Sequence, residues 1–106
     1  MIRNISVGID LGSSMTRVVV GEFTKGEKNP RIIGIGESET MGLRHGYVVD
    51  SALATTSVKN AVANAEKNSN IKIKRAFISV GDISLRGEYS SGSVIISKAD
   101  GEVTIL

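Results

Sequence analysis

The stretch Val7-Gly8-Ile9-Asp10-Leu11-Gly12-Ser13-Ser14-Met15-Thr16-Arg17-Val18-Val19-Val20 reads as two β-strands folded back on each other by a short turn. Apolar residues run up to Asp10, Gly12-Ser13-Ser14 interrupts them, and a β-branched run resumes at Thr16, which is the pattern of a hairpin. The hairpin places the Asp10 carboxylate and the small turn residues at one end. Gly12 lets the backbone bend sharply where a β carbon would collide. The amides of Ser13, Ser14 and Met15, with two hydroxyls beside them, can then converge on an anion. A carboxylate repels that anion unless a divalent cation lies between them, so Asp10 next to a hydroxyl-rich turn points to a magnesium nucleotide rather than a bare phosphate. An ordinary polar hairpin tip is the competing reading of the same residues.

Working outward, Ile5, Val7, Ile9 and Leu11 alternate with Ser6, Gly8 and Asp10, which predicts a first strand over 4 to 11. A second runs from about Met15 to Phe23, its three consecutive valines suggesting burial on both faces. After the charged turn 25 to 30 a third strand covers 31 to 36, completing an antiparallel meander. Residues 37 to 46 lack a period and read as a connection between two lobes. Tyr47-Val48-Val49 is a short apolar piece. Asp50-Ser51 then supplies a helix N-cap, and a helix continues to about Asn68 with Leu53, Ala54, Val58, Ala61, Val62 and Ala65 on one face. Ile71 to Val80 reads as a strand, Ile83 to Arg86 as another before a turn near Gly87, and the segment through Val94-Ile95-Ile96 as the last, with Gly92 as a bulge. The second lobe is thus strand, helix, strand, strand. Residues 99 to 106 read as a loop and the start of a further element cut short.

Composition narrows the function classes. The 106 residues are one domain's worth of chain, 41% hydrophobic and 23% charged, which is globular. Two Tyr, two Phe and no Trp argue against an aromatic platform for nucleic acid, and a net charge of +2 is too small to imply a polyanionic partner. The absence of Cys excludes disulfides and thiolate metal sites, and the single His45 cannot form a histidine cluster. No run of about 18 apolar residues and no signal peptide is visible.

Three motifs in this order and spacing resemble the FtsA family of bacterial actin-like cell-division proteins, and the likeness covers essentially the whole chain, at the position of the family's N-terminal quarter. Val-Gly-Ile-Asp-Leu-Gly-Ser-Ser at 7 to 14 resembles the phosphate-1 motif shared by actins, heat-shock ATPases and sugar kinases. Gly-Leu-Arg-His-Gly-Tyr-Val-Val-Asp at 42 to 50 is more selective and resembles the family's entry into its inserted subdomain. The stretch from Val80 to Ser97 resembles the hairpin of that insertion, the strand-helix-strand-strand (SHS2) module. The fold class implied is α+β: residues 1–42 begin an actin-like, ribonuclease H-like nucleotide-binding lobe (subdomain 1A), and residues 43–106 form the SHS2 interaction module (subdomain 1C), cut short.

The resemblance also implies roles. Asp10 would lie near magnesium, through water, while Gly12, Ser13, Ser14 and Met15 would surround the phosphates of ATP. A Lys or other polar residue is common where Met15 stands, so a backbone amide rather than a charged side chain is expected there. No catalytic residue is implied, since hydrolysis in the family is slow or incidental. The full-length protein would polymerise at the cytoplasmic face of the membrane, reach that membrane through a C-terminal amphipathic helix absent here, and anchor the tubulin-like division protein FtsZ. Other division proteins would dock on the SHS2 module, and no nucleic acid is expected. The chain alone should bind ATP poorly, because one turn encloses little of a ligand that needs a cleft. An actin-like type IV pilus assembly protein and a sugar or acid kinase share the phosphate motif and are the alternatives. In the basic string Ile71-Lys72-Ile73-Lys74-Arg75 the two lysines alternate with isoleucine and read as the solvent face of a strand. Arg17 reads as a solvent-side strand residue, and His45 as a solvated loop residue.

Overall fold

The computed structural model describes residues 4–44, 47–80, 85–90, 92–97 and 103–105. Alternation from Asn4 onward gives strand β1 (Asn4–Leu11), which buries Ile9 and Leu11 and exposes Ser6, Gly8 and Asp10. Strand β2 (Met15–Phe23) buries Thr16, Val18 and Val20, while Val19 between them is half-buried, so the valine run has one interior face rather than two. Strand β3 (Arg31–Glu39) continues three residues beyond the predicted end because its pairing with β2 extends to Met15 opposite Glu39.

A two-residue hairpin, β4 (Leu43–Arg44) with β5 (Tyr47–Val48), leads into helix α1 (Ser51–Ser69). Asp50 caps that helix as its position predicts, its side chain accepting from the Leu53 N–H at 3.0 Å. Asn70 ends it in the left-handed conformation, with φ 58° and its N–H bonded to the Glu66 carbonyl. The buried stripe is Ala54, Ser57, Val58, Ala61, Val62 and Ala65. Ser57 takes the interior place expected of Leu53, which is 39% exposed.

Strands β6 (Arg75–Val80), β7 (Leu85–Ser90), β8 (Ser93–Ser97) and β9 (Val103–Ile105) follow. Lys72 and Lys74 are exposed as expected but precede the strand. Ile73 beside them is buried, and its N–H donates to the Glu66 carboxylate at 2.7 Å. Gly87 is not a turn: it pairs with Ile78 on one side and Ile96 on the other. Gly92, expected as a bulge within a strand, lies in the turn between β7 and β8 at φ 89°. His45 and the segment 81–84 lie outside the described residues.

All but the small hairpin join one seven-stranded sheet in the order β3-β2-β1-β6-β7-β8-β9. The pair β1–β6 is parallel, Gly8 to Leu11 facing Phe77 to Val80, and the other described pairs are antiparallel. The strand after the helix thus returns to the middle of the sheet begun by the meander. One core unites both halves, with Leu11, Val18 and Val20 packed together with Val58, Val80 and Val94. Each such side chain contributes about 1.5–3 kcal/mol on burial. The fold is mixed α+β, a sheet with one helix.

The helix lies directly on β3. A β carbon on Gly36 would collide with the Ala61 carbonyl oxygen and the Ala65 nitrogen, and one on Gly34 would lie 2.5 Å from the Ser69 β carbon. From this close seat Asn64 donates to the Glu37 carbonyl at 2.8 Å and Asn68 to the Ile35 carbonyl at 2.7 Å. Four residues of helix rise about 6 Å and two residues of strand about 6.6 Å, so two asparagines one turn apart match alternate carbonyls on the strand's outer edge.

Candidate functional site

The turn between β1 and β2 is closed by the Gly12 N–H donating to the Met15 carbonyl at 3.2 Å. A β carbon at position 12 would stand 2.8 Å from that same carbonyl oxygen, so the residue has to be glycine for the chain to turn here. Ser13 and Ser14 are exposed at the tip, and neither their hydroxyls nor their N–H groups are engaged by another described residue. The Ser14 carbonyl, in contrast, accepts from the Thr40 N–H at 2.9 Å, which ties the end of β3 to the tip. Beneath the turn the fully buried Thr16 shares a hydroxyl–hydroxyl bond of 2.8 Å with Thr40.

Asp10 stands two residues before the turn on the sheet face away from α1, exposed, with Arg17 opposite it on β2 and Ser79 opposite it on β6. Arg17 turns to its other neighbour, donating to one Glu37 carboxylate oxygen from Nη2 at 3.0 Å and from Nε at 3.3 Å. The pair is solvated, with side chains 55% and 44% exposed. The expected solvent-side position of Arg17 is thus seen, with a partner the sequence did not reveal. Glu37 pairs with Arg17, and the Asp10 carboxylate makes no hydrogen bond or ion pair with another described residue.

Because β1 and β6 are parallel, the turn, Asp10 and Val80 gather at the carboxyl end of the only parallel pair among the described strands, the end at which open α/β sheets place their ligands. Gly12, Ser13, Ser14 and Met15 are brought together there with Asp10, Met15 being 45% exposed. No group of three or more His, Cys, Asp or Glu that could hold a metal exists among the described residues. A single carboxylate suits magnesium, which keeps several waters and takes much of its coordination from phosphate oxygens. Sequence reading missed Thr40, which bonds Ser14 and Thr16, and Ser57, which takes the N–H of the neighbouring Met41. Both sit where no period or turn signal marks them: Ser57 on a helix face otherwise apolar, Thr40 in the connection after β3. No described helix is long and apolar enough to cross a membrane.

Comparison with known proteins gives a consistent result. No family model matches the chain. It is similar to proteins named cell division protein FtsA: 34% identical over 98 residues to that of Enterococcus faecalis, covering 92% of this chain and 22% of the relative. The FtsA of Borreliella burgdorferi is 33% identical over 103 residues, covering 97% of this chain and 25% of the relative. That of Bacillus subtilis is 30% identical over 103 residues, covering 97% and 23%. The chain spans about a quarter or less of the length of the curated relatives it matches.

Proposed function

We infer that this chain, a relative of the FtsA cell-division proteins over nearly its whole length, supplies the phosphate-holding part of a nucleotide-binding lobe in a cell-division protein. The observation that carries this reading is the tip at 12–15: serine hydroxyls and amides at the carboxyl end of a parallel strand pair, with a carboxylate two residues away, none of them engaged by another described residue. Ser13, Ser14 and the Met15 amide would hold the phosphates of ATP, Gly12 giving them room, and Asp10 would hold magnesium through water. The cation would offset the charge between carboxylate and phosphates. The chemistry assigned to the tip is the binding of phosphate and cation.

In the longer protein this nucleotide site would govern assembly into filaments beneath the membrane and attachment of FtsZ and other division proteins. The division role rests on the relatives' shared name, and the partner and membrane roles on the family resemblance. The uniting of both halves in one sheet supports assigning α1 and β6 to the nucleotide-binding lobe, with any SHS2 module beginning later than residue 43.

The test is a titration of magnesium ATP against two proteins. One is the isolated chain, and the other is a chimera in which it replaces the matched stretch of the Enterococcus faecalis relative. Binding by the chimera that is lost on Asp10→Asn or Gly12→Val supports the reading. Binding indifferent to both substitutions removes it.

A further inference from the structure

Strand β3 closes one end of the seven-stranded sheet and is 9 residues long, against 3 for β9 at the other end. A strand so placed offers its outward N–H and C=O groups to any extended chain that comes alongside. The common guards against this are sparse here. No lysine or proline occurs between Arg31 and Glu39, Ile32 and Ile35 are 52% and 43% exposed, and Glu37 is paired with Arg17. In an antiparallel ladder each residue turns its N–H and its C=O to the same side, so alternate residues of β3 turn both away from β2. Ile35 and Glu37 are two such residues in succession, and theirs are the carbonyls that Asn68 and Asn64 reach, at 2.7 and 2.8 Å. An asparagine amide donating to a main-chain carbonyl does what the N–H of an added strand would do. The reach is possible because α1 sits so close over Gly36.

We propose that Asn64 and Asn68 form a cap that keeps the β3 edge from pairing with the β3 edge of a second copy of this chain. A second copy is the partner this edge fits: two identical edges laid antiparallel are related by a two-fold axis, and each brings the same outward groups and the same exposed isoleucines. With both amides in place, an incoming strand finds the carbonyls of Ile35 and Glu37 already taken. The inference concerns the edge alone, so the ATP titration can fail without touching it.

The test compares the chain with its Asn64→Ala/Asn68→Ala double variant over a range of concentrations. Mass is followed by sedimentation equilibrium, and hydrogen exchange of the Ile35 and Glu37 N–H groups by NMR. In the parent these two amides should exchange at a rate independent of concentration. The double variant should dimerise, and exchange at both amides should slow by about tenfold or more as the dimer fills. A double variant whose two amides exchange alike at every concentration overturns the proposal, whatever its mass. So does slowing with concentration in the parent, which would mean that the edge pairs despite the asparagines. Circular dichroism reports whether α1 survives the double substitution. Where it does not, Asn64→Ser/Asn68→Ser, whose side chains stay polar but stop short of the carbonyls, takes its place under the same two criteria.

Discussion

Gly36 and Ala65 meet backbone to backbone: the strand residue has no side chain, and the helix occupies the space one would need. Gly36→Ala should therefore lift α1 from β3 and cost about 1–3 kcal/mol, the usual penalty of overpacking. Gly8→Ala is the matched control, since its β carbon enters open space; in the isolated chain it should be neutral or stabilising by up to about 1 kcal/mol. Urea unfolding midpoints of the two variants give the comparison.

Removing the asparagine amides that serve the outer edge of β3 should cost less. Asn64→Ala and Asn68→Ala each lose one exposed hydrogen bond, worth about 0.5–1.5 kcal/mol, and water can take over the freed carbonyl. Asn60, one turn earlier, makes no hydrogen bond among the described residues, and Asn60→Ala should stay within about 0.5 kcal/mol of the parent. Chemical denaturation of the three variants orders them.

The helix ends offer a pair of opposite sign. Asp50→Ala removes the acceptor for the Leu53 N–H and should lower stability by about 1 kcal/mol, whereas Asp50→Ser should keep most of it. Asn70→Gly relieves a left-handed residue at φ 58° and should raise stability by up to about 1 kcal/mol. Thermal melts followed by circular dichroism at 222 nm, the standard helix wavelength, read both.

At the tip, stability and binding should separate. Ser13→Ala and Ser14→Ala remove exposed hydroxyls without partners among the described residues, so the melting temperature of the isolated chain should hardly move, within about 0.5 kcal/mol. In the chimera the same changes should weaken magnesium ATP. Gly12→Ala should do both, because its β carbon meets the Met15 oxygen at 2.8 Å. Melting curves with and without nucleotide distinguish the two cases.

What could be read from the chain was what short-range chemistry decides. β1 and β2 matched their expected limits because alternation and a Gly-Ser-Ser turn are local signals, and Asp50 announced the helix through its side chain. The union of both halves into one sheet left no such trace, since Gly8 and Phe77 are far apart in sequence and parallel pairing has no turn to mark it. Gly87 misled because glycine signals turns, yet here it sits between two strands. Ile71 and Ile73 alternate with lysines like a strand but precede one, their N–H groups donating to the Ser69 hydroxyl and the Glu66 carboxylate. At the candidate site the turn after Leu11 was legible, but the contacts of Thr40 and Ser57 were not, because they depend on how β3 and α1 dock.

The buried Ser57 takes the Met41 N–H at 2.8 Å, and the neighbouring Thr40 N–H is given to the Ser14 carbonyl at 2.9 Å. Helix and tip are thereby rigged on a single taut line, one serine at each end. Displacing Ser57 should therefore disturb the strand end that serves the Ser14 carbonyl as well as the helix that carries it.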